Sequence, residues 1–420
     1  MALLSTTALS SKIYRFESDP AIFHAEELST ERFFNTENQD KALLSLILNS
    51  NIRVLIIEDI PSEKESYFRK ILDILSKKES LEEIKMSFQY SPPLKIVREI
   101  KSLFITNKHL KSLFIQAKHD IIYRELADWP VEELIFPLIP AFGVSQALKA
   151  GIKENKSITK IVAHGFTRIS IAQLLSLLTE RETKLTSLVL LGVSNWDDQT
   201  LKTLLGYLTS NQELEELSLS SSLMVDSPWI ADLIKFLSNS RNLPLLSRLR
   251  LDYFNGRISL PVMSGLVDSI LKREIVTHLS LDSIRYPARG FAEMARLIRR
   301  SKSLIHLNPG GNPYMNDRTE IMQAIKDNRT IQYLEVKTVE EEFVTYSTLK
   351  ALYESLKLNG SVIEIRGLRL PDKIRDQLTP EGIKNRRNRN LSLTERLISL
   401  IKQERISISP LGEQQREQFQ

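Results

Sequence analysis

A six-residue pattern recurs along the chain, and the first, fourth and sixth residues of each copy are apolar. Its clearest copies are Leu185-Thr-Ser-Leu188-Val-Leu190, Leu214-Glu-Glu-Leu217-Ser-Leu219 and Val276-Thr-His-Leu279-Ser-Leu281. Alternation at every second residue places the fourth and sixth residues on one face, so each copy predicts a short β-strand. The copies begin at Ile52, Leu81, Leu110, Val131, Ile158, Leu185, Leu214, Leu246, Val276, Leu304, Ile331 and Val362.

Between the copies the apolar period becomes that of an amphipathic helix. The clearest helical runs are Leu201, Leu204, Leu205 and Leu208, and then Phe291, Met294, Ala295 and Ile298. Strand and helix therefore alternate, with successive copies 21 to 32 residues apart.

Asparagine recurs three residues before the first apolar residue of a copy, at Asn49, Asn107, Asn155, Asn211, Asn328 and Asn359. Asparagine tolerates the left-handed backbone conformation in which many helices end. We therefore expect these residues to stop each helix in that conformation. The alternative is that they reflect ordinary loop polarity.

A strand–helix unit of this length cannot bury its apolar face alone, so neighbouring units must stack. The expected fold is an α/β solenoid of about twelve repeats, an open horseshoe with a concave parallel β-sheet and convex helices. Over residues 40 to 370 the chain resembles the ribonuclease-inhibitor-like class of leucine-rich repeats, on the strength of its apolar pattern, helical second half and repeat length.

The chain departs from that class eight residues after the start of each copy, where the class usually has asparagine or cysteine. Only Asn312 fits, and several other copies have an apolar residue there, namely Ile60, Ile139, Phe166, Val193, Phe254 and Ile284. Divergent repeats without cysteine resemble the secreted leucine-rich-repeat effectors of intracellular bacteria. This resemblance implies a host protein as partner, and a location in the cytosol or in the host cytosol after secretion.

The two ends of the chain lack the repeat pattern. We expect residues 1–40 to cap the solenoid of residues 41–370, although a short adaptor helix of the F-box kind is an alternative. Residues 371–404 predict a helical cap that contains the basic run Lys384–Asn390, and residues 405–420 predict a disordered tail. The first residues lack the basic and apolar regions of a signal peptide.

The amino-acid composition limits the kinds of catalytic and metal-binding chemistry that the chain can carry out. The chain has no cysteine, which excludes disulfides, thiolate metal sites and thiol nucleophiles. The net charge of +5 is a mild bias over 420 residues and does not suggest a dedicated nucleic-acid-binding domain. No glycine-rich phosphate loop or hydrolase motif occurs. We therefore expect no enzyme activity, no cofactor and no membrane span.

The third, fifth and seventh residues of each copy should point into the hollow of the horseshoe. Phe114, Ile135, Val162 and Val189 follow one another at position five, with Leu191 alongside, and predict an apolar patch. Residues typical of interaction hot spots follow in the C-terminal half. The expected partner contacts are Arg248, Arg250, Asp252, Tyr253, His278, Asp282, His306, Tyr333 and Glu335, together with Phe114 and Ile135, and Lys337 lies nearby.

Each group also has an explanation that involves no binding. Strand propensity can account for the apolar residues, and ordinary surface polarity can account for the others. His278 and His306 share one position in adjacent copies, so a metal site completed by Asp252 and Asp282 is also conceivable. A flat sheet rarely brings the required ligands together, so contact with a partner is the preferred interpretation.

The leading functional prediction is a monomeric, non-catalytic scaffold that binds a protein. Two alternatives stay open. One is a GTPase activator that resembles the Ran-activating repeat proteins, although those usually have an acidic C-terminal tail and this C-terminus is basic. The other is nucleic-acid binding through the basic C-terminal segment.

Overall fold

The computed structural model describes residues 27–29, 52–57, 65–88, 92–117, 120–136, 144–193, 196–221, 229–252, 258–309 (apart from 283 and 285), 319–335 and most of 351–366. The expected C-terminal cap, the tail and most of the expected N-terminal cap lie outside these ranges, as do Asn49, Tyr253, Asn312 and Lys337.

The described strands form one open sheet of 13 strands whose spatial order is their order along the chain. Every neighbouring pair is parallel. The strands are β1 (Glu27–Ser29), β2 (Val54–Ile57), β3 (Glu83–Phe88), β4 (Ser112–Ala117), β5 (Glu133–Phe136), β6 (Lys160–His164), β7 (Ser187–Val193), β8 (Glu216–Ser221), β9 (Arg248–Asp252), β10 (His278–Ser280), β11 (His306–Asn308), β12 (Tyr333–Glu335) and β13 (Glu364–Arg366).

Helices connect most of these strands. They are α1 (Glu65–Leu75), α2 (Leu94–Thr106), α3 (Ile121–Glu125), α4 (Gln146–Glu154), α5 (Arg168–Glu180), α6 (Asp198–Ser210), α7 (Trp229–Ser238), α8 (Leu260–Arg273), α9 (Ala288–Arg300) and α10 (Thr319–Ile325). A short 3₁₀-helix, Leu126–Asp128, follows α3.

The apolar pattern is confirmed as the origin of the sheet, because each of its twelve copies overlaps one of the strands β2 to β13. The fourth and sixth residues are buried wherever the structure describes their side chains, as at Leu188 and Leu190, each with 0% exposure. Strand β1 lies within the segment expected to act as a cap and pairs with β2. The fold is thus an α/β repeat solenoid with a leucine-rich-repeat-like alternation of strand and helix.

Three of the turns that follow strands are packed by a buried apolar side chain in place of asparagine. Phe166, Val193 and Ile284 have no exposed surface. The ring of Phe166 lies 6.4 Å from that of Phe136, so this turn residue lies close to the last residue of the preceding strand, β5.

The prediction that asparagines end the helices is confirmed at Asn107, Asn155 and Asn211, but the expected left-handed conformation is wrong. Asn107, Asn155 and Asn211 have φ values of −98°, −68° and −109°. Among the described residues other than glycine, only Leu243 and Glu274 have positive φ. The asparagines follow the helix ends for a different reason, which their side chains reveal.

Each of these side chains is buried and joins two neighbouring repeats. The amide nitrogen of Asn155 donates to the carbonyls of Leu126 and Trp129 in the preceding repeat, at 2.6 and 2.8 Å. Its side-chain oxygen accepts from the backbone N–H groups of Ser157 and Ile158 in its own repeat. Asn107, Asn328 and Asn359 form the same kind of bridge. We call this series the asparagine ladder.

Arg181 takes the place of asparagine at the end of α5. Its Nη2 atom donates to the carbonyls of Asn155 and Ile158 at 2.6 and 2.8 Å. The side chain is buried, and burial lowers the pKa of its guanidinium from the ordinary value. The ladder therefore continues through this repeat with an arginine in place of an amide.

Stacking of the units makes the sheet the inner side of the curve. Neighbouring strands lie about 4.8 Å apart, whereas packed helices need about 8 to 10 Å. The face of the sheet turned away from the helices, which we call the open face, is consequently concave and carries the third, fifth and seventh residues of each copy.

Candidate functional site

One row of side chains crosses four strands on the open face. In the sheet register Arg248 of β9 pairs with His278 of β10, His278 with His306 of β11, and His306 with Tyr333 of β12. All four occupy position three of their copies, so the parallel register places them side by side.

The three rings in this row are stacked. The centroids of His278 and His306 lie 4.2 Å apart with an interplanar angle of 14°, and those of His306 and Tyr333 lie 4.2 Å apart at 13°. All three residues are half-buried. We call them the aromatic row. Because their flat faces contact each other, ring edges are what the row presents to the hollow.

His278 is held by its sequence neighbour. The hydroxyl of Thr277 donates to the carbonyl of Ser247 at 3.2 Å, and its oxygen lies 2.8 Å from Nδ1 of His278. A hydroxyl has one hydrogen, so in this arrangement the Thr277 oxygen accepts from Nδ1–H. The pKa of His278 is lowered, first by burial and then by the charges of His306 and Arg248, while Glu216 opposes the effect and Arg250 adds to it.

Arg250 is fixed by a carboxylate on its own strand. Its Nε and Nη2 atoms lie 3.2 and 2.9 Å from Oδ2 of Asp252, and the hydroxyl of Ser280 donates to Oδ1 of the same carboxylate. The side chain of Asp252 is 7% exposed and that of Arg250 is 57% exposed. Asp252 therefore orients Arg250, and the guanidinium is the part that reaches the solvent.

Glu216 plays the corresponding role beside Arg248, and sequence reasoning missed it. Its Oε2 atom accepts a hydrogen bond from the hydroxyl of Ser187 at 2.6 Å and lies 3.6 Å from Nη2 of Arg248. Glu216 occupies position three of its own copy and pairs with Arg248 in the register. That shared position was the signal by which it could have been found.

The apolar strip, Phe114, Ile135, Val162 and Val189, forms a continuous row at position five. The register joins Phe114 to Ile135, Ile135 to Val162, and Val162 to Val189. Phe114 and Ile135 are half-buried, whereas each valine is only 9% exposed. The strip is therefore accessible mainly at its N-terminal end.

The remaining expected contacts differ in exposure. Asp282 is 3% exposed, so its carboxylate lies beneath the surface rather than on it. Glu335 is half-buried on β12 and pairs in register with Arg366 of β13. Tyr253 and Lys337 lie outside the described residues.

The geometry gives the histidines no common metal ion. Their parallel rings face each other rather than one central point, and Asp252 is engaged by Arg250 and Ser280. Within the described ranges, no group of three or more histidine, aspartate or glutamate side chains is arranged to hold a metal.

Comparison of the sequence with models of protein families and with curated proteins found no match. The class of this protein is consequently defined by its fold: a repeat solenoid of alternating strand and helix with an open parallel sheet. None of the helices in the described ranges is long and apolar enough to cross a membrane.

Proposed function

We propose that this protein is a non-catalytic scaffold that binds a protein partner on the open face of its sheet. The observation that supports the proposal most strongly is the aromatic row with Arg248 and Arg250 beside it. Tyrosine and arginine are the residue types that most often dominate binding energy at protein interfaces. Here they project from a sheet, which holds them more rigidly than loops would.

The arrangement of the row favours binding over simple surface polarity. Two stacked ring pairs restrict the rotamers of three side chains before any partner arrives. Asp252 restricts Arg250 in the same way. Side chains that are already ordered lose less conformational entropy on association, which typically costs about 0.5–1.5 kcal/mol for each mobile side chain.

The proposal includes a repeat class and a biological role for this scaffold. The alternation of strand and helix is compatible with ribonuclease-inhibitor-like leucine-rich repeats. The turns that lack the usual asparagine, and the absence of cysteine from the sequence, support a bacterial effector that acts on a host protein. In this proposal the partner is blocked or redirected by steric coverage, and the protein works as a monomer in the host cytosol.

A pull-down from eukaryotic cell lysate tests the scaffold. The unaltered protein should retain a partner that the Arg250→Glu/Tyr333→Ala variant loses. The control Lys202→Glu/Ile105→Ala makes matched changes at exposed helix positions and should retain the partner. Equal retention by the site variant and the unaltered protein would remove the C-terminal half of the open face from consideration.

GTPase activation is the second candidate, and the exposure of Arg248 favours it. Its side chain is 45% exposed and, within the described ranges, contacts a carboxylate only at 3.6 Å. An arginine of this kind can stabilise the charge that develops during phosphoryl transfer. GTP hydrolysis by a panel of small GTPases that accelerates with the unaltered protein, but not with Arg248→Ala, would replace the scaffold proposal.

A further inference from the structure

The exposed charge on β9 is cationic, although carboxylates lie close by. Arg248 and Arg250 have side chains that are 45% and 57% exposed, whereas their carboxylate neighbours Glu216 and Asp252 are 17% and 7% exposed. The negative groups are covered and the positive groups reach the solvent. A partner that approaches this part of the open face meets guanidinium groups first.

Hydrogen-bond capacity points in the same direction. Glu216 and Asp252 each accept from a serine hydroxyl as well as facing an arginine. Arg248 has five N–H donors, and within the described ranges its guanidinium makes only the 3.6 Å contact with Glu216. The guanidinium of Arg248 can therefore donate further hydrogen bonds, and a complementary partner must supply hydrogen-bond acceptors.

The electrostatic environment of His278 supports this view. Burial is the chief cause of its lowered pKa, and the positive charges of Arg248 and Arg250 contribute to it. The charged and titratable groups that face this ring are Glu216 on β8, the two arginines on β9 and His306 on β11. The arginines thus make protonation of the ring less favourable.

Apolar surface continues the same row of the sheet. At position five the apolar strip on β4 to β7 is followed by Ser218 on β8 and then by Arg250 on β9. Phe114 and Arg250 are five strand intervals apart, or about 24 Å. An extended segment of about seven residues spans that distance. A phosphate backbone would leave the apolar half of the row without a counterpart, whereas a peptide can match both halves.

We infer that the open face binds an acidic peptide segment of its partner, with carboxylates against Arg248 and Arg250 and apolar side chains against the accessible end of the strip at Phe114 and Ile135. This inference rests on the proposed scaffold function and specifies its partner. It also gives the aromatic row a second role, because an imidazolium at His278 strengthens the attraction for carboxylates at low pH.

The test uses a defined probe: a fluorescein-labelled random copolymer of glutamate and tyrosine, followed by fluorescence anisotropy. The full-length protein should bind it, and Arg248→Glu/Arg250→Gln should weaken binding by about tenfold or more. The control Lys202→Glu/Lys235→Gln makes the same change in net charge at exposed positions of α6 and α7 and should leave the affinity unchanged. Circular dichroism checks that both variants are folded.

Acidification provides a second readout. As the pH falls from about 6.5 to about 5.5 the affinity of the unaltered protein should rise, because the lowered pKa of His278 delays its protonation to below pH 6.5 while glutamate stays largely ionised. The rise should be absent in His278→Gln/His306→Gln. An affinity that is independent of pH, or an equal loss in the site variant and its control, would overturn the inference.

The remaining outcomes separate the inference from the scaffold proposal. Tighter binding of a single-stranded oligothymidylate than of the copolymer, with the same dependence on Arg248, would overturn the inference in favour of nucleic acid. Failure of the copolymer to bind, while Arg250→Glu/Tyr333→Ala still loses the pull-down partner, would reject the acidic segment and leave the scaffold proposal in place. Failure of the copolymer to bind, together with equal retention of the pull-down partner by Arg250→Glu/Tyr333→Ala and the unaltered protein, would reject both the acidic segment and the scaffold proposal.

Discussion

The asparagine ladder leads to a quantitative prediction at Asn155. This side chain is 1% exposed and makes four hydrogen bonds, two to carbonyls of the preceding repeat and two from backbone N–H groups of its own repeat. Asn155→Leu keeps the approximate volume and removes all four. Each bond contributes about 1 kcal/mol net, so the free energy of unfolding should fall by about 4 kcal/mol.

The measurement is urea unfolding followed by far-UV circular dichroism and by tryptophan fluorescence. Trp129 is a useful reporter because its carbonyl accepts one of the four bonds and its ring is buried against Phe104. The control Glu154→Leu changes the exposed preceding residue and should alter stability by no more than about 0.5 kcal/mol.

A second ladder position keeps the prediction testable if Asn155→Leu proves too unstable to purify. Asn211 makes one bond to a carbonyl of the preceding repeat, one to the hydroxyl of Tyr207 and one from the N–H of Glu213. Asn211→Leu should therefore cost about 3 kcal/mol, less than Asn155→Leu. A loss below about 1 kcal/mol at both positions would refute the claim that the ladder holds the repeats together.

Three further predictions concern other buried or stacked groups. His306→Ala removes both ring contacts of the aromatic row and should lower stability by about 1–3 kcal/mol in the same urea assay; no loss would show that the stacking is energetically neutral. Because its pKa is lowered, the neutral form of His278 is favoured in the folded state. The contribution of His278 to the free energy of unfolding is therefore complete above about pH 6.5, and it is lost as the pH falls from 6.5 towards the folded-state pKa. The urea midpoint should thus decline with acid less steeply in His278→Gln, and parallel declines would contradict this. Arg181→Met should change stability by only about 1 kcal/mol, because losing two hydrogen bonds is offset by removing a buried cation whose Nε and Nη1 atoms have no hydrogen-bond partner; a loss above about 3 kcal/mol would contradict that balance.

The architecture could be predicted from the sequence because it depends on a local period. Strand alternation recurs in twelve copies, and each copy overlaps a strand of the sheet. The helical runs at Leu201 and Phe291 fall within α6 and α9 for the same reason. Each of these predictions depends only on which residues lie a few positions apart.

The conformation of the asparagines depends on the next repeat and could not be predicted in that way. A left-handed residue is the common local solution for a helix end. Here the side chain instead reaches carbonyls 26 to 34 residues away in the preceding repeat. The number and direction of those bonds follow from stacking, which a single repeat does not contain.

The place of the candidate site in the sheet could be predicted from the sequence, but the solvent exposure of its side chains could not. The shared position in the copies placed His278, His306 and Tyr333 in one row, and the register agrees. The low exposure of Asp252 depends in part on the neighbouring strand, because the hydroxyl of Ser280 donates to its carboxylate. The sequence therefore located the row, and the structure separated its solvent-facing arginines from the covered carboxylates.

The most direct test of the binding role places a photo-crosslinking amino acid, benzoyl-phenylalanine, at single positions of the otherwise unaltered protein. Positions Phe114 and Tyr333 sample the open face, and the exposed helix residues Ile105 and Ile169 serve as controls. The scaffold proposal predicts that illumination with the partner from eukaryotic lysate gives one crosslinked product from both sheet positions and none from the helix positions. Crosslinks that form only from the helix positions would contradict it.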